Sequence, residues 1–95
     1  MIRHVVMLKT ETKDLDLSKE IRDKILSLKD KIDIIRYYQV GINFSDEDRA
    51  YDLVLIGDFD SKEDLKHYAT HPEHLKVISF LKSKKVISKV VDFEY

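Results

Sequence analysis

The order of the apolar patterns along this chain constrains its fold more than any other feature. Segments rich in apolar and β-branched residues predict four strands, at residues 2–9, 34–44, 51–59 and 86–93. One apolar stripe with helical spacing predicts a helix over residues 17–32; it consists of Leu17, Ile21, Ile25, Leu28 and Ile32. Ser61, with Asp64 three residues later, predicts a second helix start, and Pro72 is typical of the first position of a further helical piece.

The resulting order is β-α-β-β-α-β, which is the order of a ferredoxin-like α+β fold. We expect a four-stranded antiparallel sheet with both helical regions on one face. The chain has 95 residues and contains no linker, repeat or low-complexity stretch. We therefore predict a single domain over residues 1–95.

The predicted strands are apolar on both faces in their middle. One face of the first strand carries Ile2, His4, Val6 and Leu8, and the other carries Arg3, Val5, Met7 and Lys9. A sheet with one solvated face should alternate apolar and polar residues, and the helices can cover only one face. We therefore predict a homodimer in which the two sheets pack face to face. The alternative is a monomer with a modestly apolar open face, which monomers do tolerate.

Composition excludes several classes of protein. The formal net charge of −1 lacks the basic surplus of a nucleic-acid binder. The absence of cysteine excludes disulfides, zinc–thiolate sites and thiol catalysis. The first residues predict a strand and no long apolar stretch follows, so we expect neither a secretory signal nor a transmembrane helix. We therefore expect a cytoplasmic protein that binds neither nucleic acid nor membrane.

Histidines supply the distinctive chemistry of the chain. The four are His4, His67, His71 and His74. His4 lies mid-strand among aliphatic neighbours, where burial disfavours the charged form of an imidazole. The segment that begins with Tyr68 and contains His71 and His74 is the densest polar group beside an apolar helix. The sequence contains no glycine-rich phosphate loop, nucleophile elbow or HExxH motif.

These segments resemble the stress-responsive A/B barrel (Dabb) family over essentially the whole chain. The resemblance is carried by IRHVVMLK at residues 2–9, YDLVL at 51–55, YATHPEH at 68–74 and VVDF at 90–93. It implies a ferredoxin-like subunit whose dimer closes a β-barrel between the two sheets, a dimeric α/β barrel. Most members of that family have no assigned reaction.

Some members of the family resemble polyketide cyclases, which close a poly-β-keto chain by aldol chemistry without a metal or a cofactor. In those, a pocket between the helices and the sheet holds histidines and tyrosines. The resemblance implies His74 as general base, Tyr68 as hydrogen-bond donor to a carbonyl, and His4 and His71 as orienting partners. An imidazole with a pKa near ~6.5 can remove a proton flanked by two carbonyls at neutral pH.

The chain departs from the cyclase pattern at two places. Leu53 stands where the cyclases have a histidine that faces the pocket. Residues 17–32 contain no tyrosine, although the cyclases have one in their first helix. The resemblance therefore implies a small-molecule pocket without implying the cyclases' own substrate.

A structural interpretation stands beside each functional one. His4 could be a buried histidine that holds the helices on the sheet, and His71 could cap the helix that begins at Pro72. His74 could be a surface residue, or it could bind a metal with His71 and Glu73. The tyrosines 37 and 38 are expected to pack with one ring on each face of the sheet.

Three hypotheses follow from these interpretations. The first is a dimer that binds a small organic molecule, with acid–base chemistry through His74 and Tyr68. The second is a non-catalytic, stress-associated dimer whose barrel is purely structural. The third, and weakest, is a metal-dependent site at the histidines. Convergence of His4, Tyr68 and His74 on one cavity between helices and sheet would favour the first.

Overall fold

A computed structural model describes all residues from 1 to 95. The strands are β1 (Ile2–Lys9), β2 (Tyr37–Ile42), β3 (Leu53–Phe59) and β4 (Ile87–Glu94). The helices are α1 (Leu15–Leu26), the single turn α2 (Leu28–Lys31), α3 (Lys62–Thr70) and α4 (Pro72–Ser83). No helix is long and apolar enough to cross a membrane.

The four strands form one antiparallel sheet in the order β2-β3-β1-β4. The helices lie on one face of this sheet, and the ferredoxin-like prediction is confirmed. The register places His4 of β1 opposite Gly57 of β3 on one side and opposite Asp92 of β4 on the other. His4, Gly57 and Asp92 therefore share the helix-side face of the sheet.

The predicted helix over residues 17–32 is divided at Ser27. The Ser27 hydroxyl donates to the Lys24 carbonyl at 2.6 Å, and its backbone N–H donates to the Asp23 carbonyl. Such bonds close the last turn of α1, and α2 follows as a single separate turn. The helix also starts earlier than predicted, at Leu15, because the Asp14 carboxylate caps it by accepting from the Asp16 N–H.

Two predicted strands are shorter in the structure than in the sequence pattern. The strand predicted over residues 51–59 begins at Leu53 in the structure, although the backbone N–H of Asp52 still donates to the Leu8 carbonyl at 2.8 Å. The Asp52 carboxylate accepts from the backbone N–H and the hydroxyl of Thr10, at 2.7 and 3.0 Å. The strand predicted over residues 34–44 spans only Tyr37–Ile42, and the preceding Ile35 is buried in the core.

The core lies between the helices and the helix-side face of β1, β2 and β3. It consists of two apolar clusters, one around Phe59 and Tyr68 and the other around Ile21, Ile25 and Leu55. The predicted helix starts at Ser61 and Pro72 are present in the structure. The Ser61 hydroxyl accepts from the Asp64 N–H at 3.1 Å, and Pro72 is at the start of α4. Only 16 of the 95 residues are buried, so this core is small.

The opposite face of the sheet, called the outer face below, carries no helix. From β1 and β4 it presents Arg3, Val5, Met7, Lys9, Ile87, Lys89, Val91 and Phe93. Met7 is 44% exposed and Val91 64% exposed, so this face displays apolar surface in the single chain. Tyr37 lies on the outer face and Tyr38 on the helix-side face, as predicted.

Candidate functional site

A cavity of about 220 Å³ lies between the sheet and the helices. Its apolar lining residues are Val6, Leu8, Ile25, Leu28, Leu55, Val77, Ile78, Leu81 and Val90. Its polar lining residues are His4, Tyr38, Tyr68, His74 and Ser88. Three of the four residues singled out from the sequence, His4, Tyr68 and His74, therefore line one cavity.

Tyr68 lies at the centre of the polar part of the lining. It is buried on α3, and its ring centroid lies 4.3 Å from that of His74, 5.9 Å from that of His4 and 6.2 Å from that of Tyr38. The helix stripe that contains Leu65 orients α3 so that Tyr68 reaches the sheet. The hydroxyl groups of Tyr38 and Tyr68 are 2.5 Å apart and share one hydrogen bond.

Burial keeps both tyrosines in their protonated form. It raises the pKa of Tyr68 to about 12, although the hydrogen bond from Tyr38 acts in the opposite direction. Burial also raises the pKa of Tyr38, and the neighbouring Tyr68 adds to that rise. Because only one of the two O–H groups is used between them, the other is free to donate to a bound molecule.

His4 is held by a carboxylate on the neighbouring strand. Its Nδ1 lies 2.5 Å from Oδ1 of Asp92, which the β1–β4 register places directly opposite. An ionised carboxylate only accepts, so the proton of a neutral His4 ring is on Nδ1. Nε2 then carries a lone pair and has no hydrogen-bond partner in the protein.

His74 is fixed in the same tautomer by a backbone carbonyl. Its Nδ1 lies 2.9 Å from the oxygen of Ala69, one turn away at the end of α3, and donates to it. Burial lowers the pKa of His74, the Ala69 hydrogen bond opposes that change, and the nearby His4 and His71 add to the lowering. No buried side-chain nitrogen or oxygen lacks a partner, so the unpartnered Nε2 atoms of His4 and His74 are accessible.

His71 is not part of the cavity lining. Its Nδ1 accepts a hydrogen bond from the Glu73 N–H at 3.1 Å, which makes it the N-cap of α4. The ring is therefore turned toward the first turn of its own helix. This geometry lends no support to the expectation that His71 orients a ligand beside His74, which stays a prediction. His67 is exposed on α3 and also lies outside the cavity.

No three His, Cys, Asp or Glu side chains come together in a way that could hold a metal ion. Glu73, the carboxylate considered as a partner of His71 and His74, instead pairs with Lys76 at 3.3 Å.

The family model of the stress responsive A/B barrel domain, Dabb, matches residues 2–95. The chain belongs to the Dabb family. A comparison with curated proteins found no match. The prediction made from the strand and histidine motifs is thus confirmed for essentially the whole chain.

Solved structures with the same fold include two described as dimeric proteins of unknown function. One is from Bacteroides fragilis, with a TM-score of 0.87, 30% identity and coverage of 99% of this chain and 95% of that one. The other is from Thermobifida fusca, with a TM-score of 0.85, 20% identity and coverage of 99% and 90%. A hydroxynitrile lyase from Passiflora edulis also shares the fold, with a TM-score of 0.78, 16% identity and coverage of 98% and 93%.

Two residues of this Dabb site were not assigned to it from the sequence. Tyr38 was expected to pack on one face of the sheet, and it does, but its hydroxyl also reaches Tyr68. Asp92 was noted only as part of the family motif. The pairing of His4 with Asp92 follows from the register of the central strand β1 with the antiparallel edge strand β4. That register can be assigned only once the topology of the sheet is known.

Proposed function

We propose that this Dabb protein binds a small organic molecule in the cavity between helices and sheet, and that His74 and Tyr68 perform cofactor-free acid–base chemistry on it. The observation that carries the proposal is the convergence of His4, Tyr68 and His74, joined by Tyr38, on one largely apolar cavity. Few, convergent polar groups in an apolar concave site are typical of small-molecule sites.

The proposed base is Nε2 of His74. The hydrogen bond from Nδ1 to Ala69 leaves the Nε2 lone pair available, and the lowered pKa of His74 keeps the ring neutral at pH 7. In the proposed step, Nε2 takes a proton from a carbon next to a carbonyl. The C–H bond breaks, its electron pair enters an enolate, and the free O–H of the Tyr38–Tyr68 pair donates to the enolate oxygen.

His4 and Asp92 have a positioning role in this proposal. The carboxylate fixes the tautomer of His4, so a second Nε2 lone pair is accessible in the cavity. Such a pair orients a ligand hydroxyl or holds a proton that moves through the site. His71 is not part of the proposed step, because its Nδ1 accepts from the Glu73 N–H at the start of α4.

Binding and chemistry are tested separately. A thermal-shift screen of small carbonyl compounds is repeated with His74→Ala and with His67→Ala, which removes an exposed histidine outside the cavity. Ligands that stabilise the wild type and the His67 variant but not the His74 variant support the proposal. Ligands that stabilise all three proteins equally would count against His74 as a site residue.

The chemical step is followed by deuterium exchange. A ligand from the screen that has a hydrogen next to its carbonyl is incubated in D2O, and its proton NMR signal is followed with time. We expect faster loss of that signal with the wild type than with His74→Gln. Binding without any difference in exchange would favour the alternative, a non-catalytic protein. That alternative is supported by the protein partners that both histidines already have at Nδ1.

The homodimer predicted from the sequence is part of the proposal. The outer face displays exposed apolar side chains, among them Met7, Val91 and Phe93. The Bacteroides fragilis and Thermobifida fusca proteins of the same fold are described as dimeric. We infer that two chains pack outer face against outer face and close a barrel between their sheets.

We also propose the cytoplasmic location that the sequence predicts. It rests on the absence of cysteine and of a long apolar stretch in the sequence. Fractionation of cells that express the tagged chain tests it, and recovery outside the cytoplasmic fraction would contradict it.

A further inference from the structure

The charge of the cavity lining limits what the cavity can bind. None of its 14 lining residues is a lysine, arginine, aspartate or glutamate. The carboxylate nearest to the site is Asp92, which lies behind His4 rather than in the lining. An anion entering this cavity would lose its hydration and meet no lysine or arginine in the lining. A cation would find no carboxylate in the lining either.

The hydrogen-bond donors and acceptors of the lining also limit which ligands can bind. Nε2 of His74 is an acceptor because the ring donates from Nδ1 to Ala69, and Nε2 of His4 is an acceptor in the neutral ring, which carries its proton on Nδ1. The Tyr38–Tyr68 pair has one O–H left to donate. A complementary ligand therefore needs an acceptor for the tyrosine and at least one donor for a histidine. A carbonyl with a neighbouring hydroxyl supplies both.

The volume sets the approximate size of the part of a ligand that the cavity can enclose. An apolar cavity of about 150 Å³ is known to bind benzene, so 220 Å³ has room for roughly nine non-hydrogen atoms at the same density. That is one ring with a short polar substituent. A long poly-β-keto chain does not fit inside such a cavity, which agrees with the departure of the sequence from the cyclase pattern at Leu53.

From these three observations we infer that the ligand of this cavity is an uncharged, single-ring-sized hydroxycarbonyl compound. The inference rests on the proposed function and deepens it, because it names the ligand class of the same site. The ring of the ligand contacts the aliphatic lining, its carbonyl accepts from the tyrosine pair, and its hydroxyl donates to a histidine Nε2.

The test uses probes of nearly equal size and different charge. They are 2-hydroxyacetophenone, which is neutral, phenylacetate, which is an anion, and phenethylammonium, which is a cation. A two-ring analogue, 1-hydroxy-2-acetonaphthone, tests the size limit. Affinity is measured at pH 7.5 by NMR titration, with the imidazole signals of His4 and His74 reporting the site. We expect 2-hydroxyacetophenone to bind at least tenfold more tightly than each of the other three.

A reversal variant sharpens the test. Ser88 lines the cavity and is exposed on β4, so Ser88→Arg places a cation at the lining without entering the core. We expect this variant to bind phenylacetate at least tenfold more tightly than the wild type does. The matched control is Ser79→Arg, which adds the same charge at an exposed position of α4 outside the lining and should leave the affinity for phenylacetate unchanged.

The outcomes separate this inference from the proposed function. If phenylacetate shifts the His74 signals in the wild type and binds as tightly as the neutral probe, the ligand class is wrong while the binding site stands. If the two-ring analogue binds best, the size limit is wrong and the inference fails. If no probe shifts His4 or His74, the cavity is not a binding site, and the proposed function is overturned together with the inference.

Discussion

The two strands that flank β1 have opposite environments, although both pair with it in antiparallel fashion. In β3, Leu53, Leu55 and Phe59 are buried under α1 and α3, and Phe59 has no exposed surface. In β4, every residue is exposed, including those on the helix-side face. The helices divide in the same way, because α1 buries Ile21 and Ile25 whereas α4 buries no residue completely.

In this small fold, the tightly packed core and the surface available for function lie in different halves of the molecule. The half of the molecule around β3 and α1 holds most of the tightly packed core and supplies stability. The half around β4 and α4 is packed less tightly, and it supplies Val90, Ser88 and His74 to the cavity. A pocket and an interface both need surface that the core does not use. Substitutions in the two halves should therefore differ in what they change.

The largest contrast is expected between two phenylalanines. Phe59→Ala in β3 should lower the free energy of unfolding by about 3–5 kcal/mol, because it opens a cavity in a filled core. Phe93→Ala in β4 removes a ring that is 44% exposed on the outer face, so its effect should act through association of two chains. Urea denaturation at several protein concentrations distinguishes the two. If both variants lose the same unfolding free energy at every protein concentration, the contrast between β3 and β4 is wrong.

The next effect is on the proposed dimer. Val91→Asp places a charge in the middle of the apolar outer face, and we expect the dissociation constant to rise at least 100-fold, which corresponds to about 2.8 kcal/mol. Light scattering after size exclusion should give a mass near the 11.2 kDa of one chain, and the wild type near twice that value. Ser83→Asp, at an exposed position of α4, is the control. A wild type that is itself monomeric at micromolar concentration would contradict the dimer.

Removal of one hydroxyl from the tyrosine pair should have a moderate effect. Tyr68→Phe leaves the hydroxyl of Tyr38 without its partner and should cost about 1 kcal/mol of unfolding free energy. The double variant with Tyr38→Phe should cost less than the sum of the two single variants. Tyr37→Phe, one residue away on the outer face, should be almost neutral. Additive losses in the double variant would show that the two hydroxyls do not depend on each other.

A smaller effect is expected from the cap of α4. His71→Ala removes the acceptor of the Glu73 N–H and should cost about 0.5 kcal/mol, near the lower end for an N-cap. Ligand affinity in the cavity should stay within twofold of the wild type, because His71 does not line it. Chemical denaturation and the NMR titration measure the two quantities. A large loss of ligand affinity with unchanged stability would show that His71 takes part in ligand binding.

The smallest effects are two separate steps in the pH dependence of stability. Burial lowers the pKa of His74 from 6.5, so the unfolded chain takes up a proton first and stability falls as the pH drops below that value. Hydrogen bonding to Arg3 lowers the pKa of Asp58 from 3.8, so its contribution is present above that pH and is lost below it. His74→Gln should flatten the first step and Asp58→Asn the second. Unchanged profiles would contradict these assignments.

The fold was accessible from the sequence because its signals are local. The alternation in residues 2–9 and the stripe from Leu17 to Ile32 depend only on neighbours along the chain. The errors arose where a side chain competes with the regular backbone pattern. Ser27 forms hydrogen bonds that end α1 early, and the Asp52 carboxylate before β3 bonds to Thr10, which is 42 residues away in the sequence.

The site was accessible only in part because its parts are not local. His4, Tyr68 and His74 were found through the family motif and their residue types, and all three line the cavity. Asp92 and Tyr38 depend on the register of β1 with β4 and on the packing of α3 over the sheet. His71 resembles a site residue in the sequence, yet the start of α4 one residue later makes it a cap.

The alternation of side chains along β4 has a consequence for how this protein can change. Successive residues of one strand serve two tasks: Ser88 and Val90 line the cavity and Asp92 holds His4 on the helix-side face, while Ile87, Val91 and Phe93 lie on the outer face. Substitutions at alternate positions can therefore retune the ligand and the self-association independently. A one-residue deletion would exchange the two sets and lose both at once, so this strand tolerates point changes far better than changes of length.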